Sequence, residues 1–349
     1  MKKIKNIFLL IFLAAALISS GCSDSQKTGG ELNFFNWTEY LPQSVLTAFE
    51  AEYHIKVNYS MYSSNEEMLA KVKSGEKGMY DLIVPSDFMI DIMRKSGDLE
   101  KIDKTKISNF ANIDPQYTRM YFDPENDYSV PYMISNAILC YNREKIPQGI
   151  TTFGEIFDPK YKNQLVVLDD QRMVMAIAAI AMGESINETD PVKLTAIKEK
   201  LFSLKENIKV FDSDSPKSQM ISGETSIGYV WCAEAALAMR ENPNILPVYP
   251  REGLAFLFDN LAIPAGAKNK ENAMLFINFI LRPEISKMIS AEYPYVNPNK
   301  AAYPILPDSY KNNPASNPPA ESLAKGQFVM NLGDSAHIYD DIWTEFKNK

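Results

Sequence analysis

A short aromatic stretch built around one carboxylate, residues 36–40, offers the clearest chemistry in this sequence. Trp37 and Tyr40 flank Glu39 directly after the apolar run 32–35, where a loop would favour Gly, Ser and Asn. An aromatic face beside a carboxylate suits an alkylammonium group, through cation–π attraction and a charge-assisted hydrogen bond. The alternative is that these aromatic side chains only cap a hydrophobic core.

The elements around this stretch place it at the end of a strand. Residues 32–35 form an apolar strand pattern, and Pro42 begins a helical one. Ser86 follows a second apolar run, 81–85, and Asp170 follows a third, 165–168. Ligands of open α/β sheets bind at the carboxyl ends of the strands, so we expect these side chains to meet there. Ser86 and its neighbour Asp87 have a second predicted role, as caps of the helix 88–95.

Alternating strand and helix patterns predict an α/β fold with a parallel sheet. Two longer apolar segments, 130–141 and 254–263, are typical of extended strands in which the chain crosses from one such unit to the other. They predict a hinged protein of two lobes with a ligand between them. Asp259 lies within the second segment, where a carboxylate is costly to bury unless it is paired or hydrogen-bonded. We therefore interpret Asp259 as functional.

Composition sets broad limits on the class of protein. The 349 residues suffice for two domains with hydrophobic cores, and 46% hydrophobic with 23% charged residues is ordinary for a globular protein. The net charge of −8 becomes −11 if a signal carrying the first three lysines is removed. A negative surface disfavours nucleic acid and mildly favours cationic ligands.

The N-terminus has the layout of a secretory signal. A basic start and the apolar run 7–18 are followed by small residues, and the segment is too short to span a membrane. We predict a signal peptide at residues 1–21, a lipidated Cys22 and a polar tether at 22–30. Ser19 departs from the usual lipidation pattern, and the alternative is plain cleavage to a free periplasmic protein. No other segment is predicted to cross a membrane.

The remaining cysteines, Cys140 and Cys232, form no framework of disulfides. We expect two buried free thiols, with a single disulfide as the alternative. With His54 and His337 the only histidines, a zinc site would lack ligands. No nucleophile motif, nucleotide loop or candidate catalytic histidine supports an enzyme, although paired carboxylates also serve glycoside hydrolysis.

Several segments together resemble a known family, the bacterial polyamine-binding receptors of ATP-driven importers. The resemblance rests on segments that occur in order along the mature chain: 36–40, 80–86, 102–104, 126–132, 261–264 and 268–270. It implies a two-lobed periplasmic binding protein (type II) fold, with each lobe discontinuous in sequence. Lobe 1 would comprise residues 31–135 and 261–303, and lobe 2 residues 136–260 and 304–349.

The resemblance also implies a set of ligand contacts. Carried over by position, they are Trp37, Thr38, Glu39, Tyr40, Ser86, Phe88, Asp170, Ser213, Trp231, Asp259 and Tyr295. Glu234 is added because putrescine-preferring relatives have an aspartate there. Three positions depart from the spermidine-binding pattern: Met173 and Val329 replace a glutamate and a glutamine, and Leu257 replaces a tryptophan.

These residues imply a receptor, not an enzyme, that needs no cofactor. Carboxylates would pair the ammonium groups of putrescine or spermidine, and aromatic walls would enclose the methylenes. The departures, together with Glu234, favour putrescine, with both amines binding. The expected partners are the permease subunits of an ABC importer and the membrane that holds the Cys22 lipid, and the protein is expected to be a monomer. The alternatives are a ferric-iron receptor that uses Tyr293 and Tyr295, and a lipoprotein sensor without a role in transport.

Overall fold

Alternating strands and helices build the chain from residue 29 to residue 348, the part that the computed structural model describes. Within that part the strands are β1 (Gly30–Trp37), β2 (Ile55–Tyr62), β3 (Leu82–Ile83), β4 (Ser129–Asn142), β5 (Leu165–Val167), β6 (Ile208–Phe211), β7 (Ile227–Trp231), β8 (Ile245–Val248), β9 (Ala255–Ala262) and β10 (Gln327–Phe328). The helices are α1 (Gln43–Tyr53), α2 (Asn65–Ser74), α3 (Asp87–Ser96), α4 (Gln171–Met182), α5 (Pro191–Phe202), α6 (Lys217–Ile221), α7 (Cys232–Glu241), α8 (Lys270–Ile280), α9 (Pro283–Glu292), α10 (Asp308–Lys311), α11 (Ala320–Leu323) and α12 (Ala336–Asn348).

All of the strands join one sheet, whose order is β2-β1-β3-β9-β4-β7-β5-β6, with β8 added to β4 and β10 added to β9. Both outer parts are parallel: β1 pairs with β2 and β3, and β5 pairs with β6 and β7. The predicted parallel sheet is thus confirmed for these parts. It is wrong at the centre, where β4 and β9 pair antiparallel. One of these strands leads the chain to the second part of the sheet and the other brings it back, so they run in opposite directions.

The central pair β4 and β9 consists of the two long apolar segments that the sequence marks as crossings. Its register places Ser135 opposite Leu257 and Met133 opposite Asp259. After β9 the chain returns to the first part of the sheet, where the ring of Phe276 on α8 meets that of Phe34 on β1 at 5.2 Å between centroids. Each part is therefore built from separate stretches of sequence.

Two clusters of buried side chains form the hydrophobic cores. One joins β1 to the helices around it and includes Leu32, Phe49 and Phe276. The other surrounds β5 and β7 and includes Val167 and Tyr229, but it also extends to residues near β3. The clusters agree with two units, and the exact lobe boundaries given above remain a prediction.

Local signals set the ends of the helices. The predicted helix at 88–95 forms as α3, Asp87–Ser96, with each end shifted by one residue. Ser64 caps α2, because its hydroxyl accepts a hydrogen bond from the Glu67 amide at 3.1 Å. No helix between residues 29 and 348 has the length and apolar character needed to cross a membrane. The signal peptide, Cys22 and most of the tether lie outside the described residues, and Gly30, placed in the tether, begins β1.

Cys140 and Cys232 are both buried and free, as predicted. Burial raises the pKa of the Cys140 thiol to about 12 and that of Cys232 to about 11, so neither forms the reactive thiolate at neutral pH. We expect a maleimide to modify neither thiol of a Cys22→Ser variant in the native state, and to modify both after denaturation. Rapid native labelling, or no labelling after denaturation without reductant, would contradict this result.

Candidate functional site

The predicted site residues converge on a cavity at the strand ends. Its empty volume is about 510 Å³, part of it open to solvent. Ten of the twelve predicted contacts line it: Trp37, Thr38, Glu39, Tyr40, Ser86, Ser213, Trp231, Glu234, Asp259 and Tyr295. The other two, Phe88 and Asp170, line a neighbouring cavity that shares the walls formed by Ser63, Ser213, Asp214 and Leu257. Residues distant in sequence are thus brought to one continuous region.

Asp259, on the central strand β9, is buried among hydroxyl groups. Tyr40 donates to its Oδ2 at 2.5 Å, Ser135 donates to the same oxygen at 3.1 Å, and Ser86 donates to Oδ1 at 2.7 Å. Burial raises the pKa of Asp259, and the three hydroxyl donors counter part of that rise. The expectation that this carboxyl must be hydrogen-bonded is confirmed. Ser135 was missed, and its only signal was a hydroxyl within the apolar segment 130–141.

The Ser86 hydroxyl is available to donate a hydrogen bond to Asp259 because it does not cap α3. It stands at the cap position of the helix without a side-chain bond to the backbone, which corrects the predicted capping role. Its hydroxyl instead accepts from Asn65 Nδ2 at 3.0 Å while donating to Asp259. Asp87 Oδ1 accepts a hydrogen bond from the Phe88 amide at 3.0 Å. The Asp87 carboxyl, and not the Ser86 hydroxyl, therefore bonds a backbone amide at the start of α3.

Fixed aromatic rings form the walls of the cavity. The Trp37 indole donates to the Val84 carbonyl at 2.8 Å, and its ring lies 4.6 Å from that of Tyr62. Tyr40 and Tyr295 meet edge to face at 4.8 Å. Since these contacts hold the rings in place, the cavity presents a preformed apolar surface. Tyr295 lines the cavity and Tyr293 does not, so the tyrosine pair proposed for ferric iron is not assembled there.

Glu39 and Glu234 share one lysine that no sequence pattern indicated. Lys217, the first residue of α6, places its Nζ 2.6 Å from Glu39 Oε2 and 3.0 Å from both oxygens of Glu234. Glu234 is not a solvated helix residue, because only 5% of its side chain is exposed. Burial raises the pKa of Glu234 to about 7, against the lowering effect of the Lys217 charge.

The neighbouring cavity contains a second cation beside a carboxyl. Asp170 accepts from the Met173 amide at 2.8 Å and caps α4, and burial raises its pKa. Arg172 also lines this cavity and bonds the Met330 carbonyl at 3.0 Å and Asn187 Oδ1 at 2.7 Å. Arg172 therefore places a cation at the wall of this cavity. Phe88 forms part of the same wall.

The residues that depart from the spermidine pattern have two different positions. Leu257 lines both cavities, so it supplies an aliphatic surface there. Met173 and Val329 are buried and line neither cavity. The Ser213 hydroxyl is buried without a hydrogen-bond partner among residues 29–348, which leaves it available to a ligand.

Comparison with known proteins agrees with this geometry. The profile of the bacterial extracellular solute-binding proteins matches residues 44–319. A relative from Salmonella typhimurium, the spermidine/putrescine-binding periplasmic protein, is 41% identical over 337 residues, which cover 96% of this chain and 97% of the relative.

Two solved structures are similar along most of the chain. The spermidine/putrescine ABC transporter substrate-binding protein PotD from Streptococcus pneumoniae is 31% identical with a TM-score of 0.79, covering 92% of this chain and 99% of that one. The Tp0655 (TpPotD) lipoprotein of Treponema pallidum is 28% identical with a TM-score of 0.82, covering 91% and 100%. The predicted two-lobed binding-protein fold is confirmed by these likenesses, and the chain belongs to the bacterial extracellular solute-binding proteins.

Proposed function

We propose that this protein is an extracytoplasmic receptor that captures putrescine or spermidine between its lobes and delivers it to an ABC importer. The observation that carries the proposal is Asp259, a buried carboxyl that faces an aromatic cavity and is bonded there by neutral hydroxyls. The names of the relatives, spermidine/putrescine-binding proteins of transporters, support the same ligand class. Binding and release, without a chemical reaction, are the whole activity.

The charge of the cavity suits an amine. Polyamine nitrogens resemble lysine, with a pKa of about 10, so the ligand arrives multiply charged. An ammonium group that enters a buried site needs a carboxylate to offset its lost hydration. Asp259 supplies such a group in the middle of the cavity wall, and Glu39 supplies a second at the end of β1. The Trp37, Tyr40 and Trp231 rings enclose the apolar carbons between nitrogens.

The charges in the two neighbouring cavities favour a ligand with two ammonium groups. Lys217 offsets one of the two glutamates in the first cavity, and Arg172 stands beside Asp170 in the second. Met173, in place of a glutamate, adds no carboxylate to either cavity. We propose that putrescine binds more tightly than spermidine for this reason, because each further buried ammonium would lack a partner.

The same proposal includes the location of the receptor. A lipid on Cys22 would hold the protein at the membrane outside the cytoplasm, with the residues up to Gly29 as its tether. The similarity to a Treponema pallidum protein described as a lipoprotein supports this anchor. The permease subunits of the importer would receive the ligand from a single copy of the receptor.

Replacing the central carboxyl tests the proposal. We expect Asp259→Asn to weaken putrescine binding by about 2–5 kcal/mol, as for the loss of one partner of a buried charge pair. The variant should still fold, since a neutral amide is less costly to bury than an unpaired carboxylate. Isothermal titration calorimetry measures the change, with Asp341→Asn on the exposed side of α12 as the control. Affinity within twofold of the unmodified protein would remove Asp259 from the site.

The pKa of Glu234 makes a second test possible. Because that pKa is raised to about 7, the glutamate takes up a proton as the pH falls through neutrality and no longer attracts a cation. We expect the affinity for putrescine to fall by up to about tenfold between pH 8 and pH 6, the most that protonation of one group with a pKa of about 7 can cause over this range. In Glu234→Gln the affinity for putrescine should depend less on pH between pH 8 and pH 6. An unchanged profile in the variant would assign the pH dependence to other groups, such as Asp170 or Asp259.

A further inference from the structure

We propose that Lys217 determines the ligand selectivity of the cavity, by reducing the Glu39 and Glu234 pair to a single net negative charge that accepts one ammonium group. The inference rests on the proposed function, since it concerns which amine that site prefers. It adds a residue that lies outside the cavity wall and that no sequence motif indicated.

The contacts of Lys217 show how it changes the charge of the site. Its Nζ is 2.6 Å from Glu39 and 3.0 Å from each oxygen of Glu234, and its backbone amide donates to Glu234 Oε2 at 3.4 Å. A third acceptor, Ser215 Oγ, lies 3.2 Å from Nζ. Both oxygens of Glu234 are thus engaged, while Glu39 keeps one oxygen free of this lysine.

Burial strengthens the electrostatic attraction between Lys217 and Glu234. The exposed fraction of the side chain is 18% for Lys217 and 5% for Glu234, so solvent screens this pair less than at the surface, whereas the Glu39 side chain is 40% exposed. Above the Glu234 pKa of about 7, where both glutamates are ionised, two carboxylates and one ammonium leave a net charge of −1 at this end of the cavity. Lys217 does not line the cavity itself, so it changes the charge that a ligand meets and leaves the space unchanged.

The consequence is a preference set by the number of ligand charges. With Lys217 in place, one ammonium balances the Glu39 and Glu234 end, and Asp259 balances a second. A triamine brings a third positive charge. Among residues 29–348 the lining of this cavity offers no further buried carboxylate for it, because Asp214 is exposed and Asp170 lies in the neighbouring cavity beside Arg172. Removing the lysine charge would therefore help spermidine more than putrescine.

Calorimetry with putrescine and spermidine tests this directly. We expect Lys217→Met, which keeps the length of the side chain, to raise the ratio of spermidine to putrescine affinity at least fivefold at pH 8.5. Lys217→Arg should keep the original ratio because it keeps the charge. The matched control is Lys193→Met, since Lys193 also bridges two glutamates, Glu184 at 2.7 Å and Glu188 at 3.3 Å, but with half of its side chain exposed on the surface.

The pH adds a readout that a merely structural role would not affect. Lys217 lowers the pKa of Glu234, so in Lys217→Met the carboxyl should hold its proton to higher pH. The gain for spermidine should then be smaller at pH 7 than at pH 8.5. The neighbouring Tyr293 and Tyr295 stay neutral over this range, because burial raises the pKa of Tyr293 to about 12 and that of Tyr295 well above 10.

A double variant and a second single variant complete the test. Lys217→Met with Glu234→Gln restores one net negative charge and should restore the original ratio. Glu234→Gln alone should shift the ratio the opposite way, toward putrescine, and this arm holds even if Lys217→Met does not fold. A ratio within twofold of the original in folded Lys217→Met, or a shift that persists in the double variant, would overturn the inference. Failure of the unmodified protein to bind either amine would instead overturn the proposed function.

Discussion

A carboxyl group buried in the middle of the sheet is the constraint on which the rest of this site depends. Moving a carboxylate out of water costs several kcal/mol unless other groups replace its hydration. Around Asp259 three hydroxyls do so, and they come from the end of β1, the start of α3 and the central strand β4. Neutral donors stabilise a negative charge without cancelling it. The cavity therefore keeps an anionic point to which a cation can bind.

The antiparallel pair of β4 and β9 explains how one sheet holds that carboxyl in place. Side chains alternate between the two faces of a strand, so neighbours in sequence serve opposite faces. Leu257 and Asp259 line the proposed ligand cavity, whereas Phe256 and Phe258 line a separate apolar cavity together with Ile134. Asp259 is thus held on a buried strand, whereas Thr38, Glu39, Tyr40, Ser213 and Tyr295 line the cavity from loops at the strand ends. A one-residue change of register would exchange the two faces and remove the carboxyl from the cavity.

Local signals made much of this predictable from the sequence. Three features can be recognised from a few neighbouring residues. They are the aromatic stretch at 36–40, the two long apolar segments, and Asp259 as a charged residue inside one of those segments. The resemblance to polyamine-binding receptors then collected Asp170, Ser213 and Trp231, which no local pattern could bring together. The antiparallel centre was missed because strand patterns do not record direction.

The partners of the charged groups were harder to predict, because they depend on contacts between distant segments. Lys217 meets Glu39 across 178 positions of sequence, and Ser86 meets Asp259 across 173. A lysine at the start of a short helix is ordinarily a solvated residue, and a serine before a helix is ordinarily its cap. Only the tertiary structure shows that both are drawn to carboxylates at the cavity, and these pairings determine its charge.

The position of the ligand nitrogens tests the central claim most directly. A crystal structure of the protein with putrescine should place one ammonium nitrogen within about 3 Å of an Asp259 oxygen, a normal charge-assisted distance. Tyr40, Ser86 and Ser135 should still donate to the same carboxylate. Putrescine bound with both nitrogens away from Asp259, or outside the cavity lined by Trp37 and Trp231, would contradict the account.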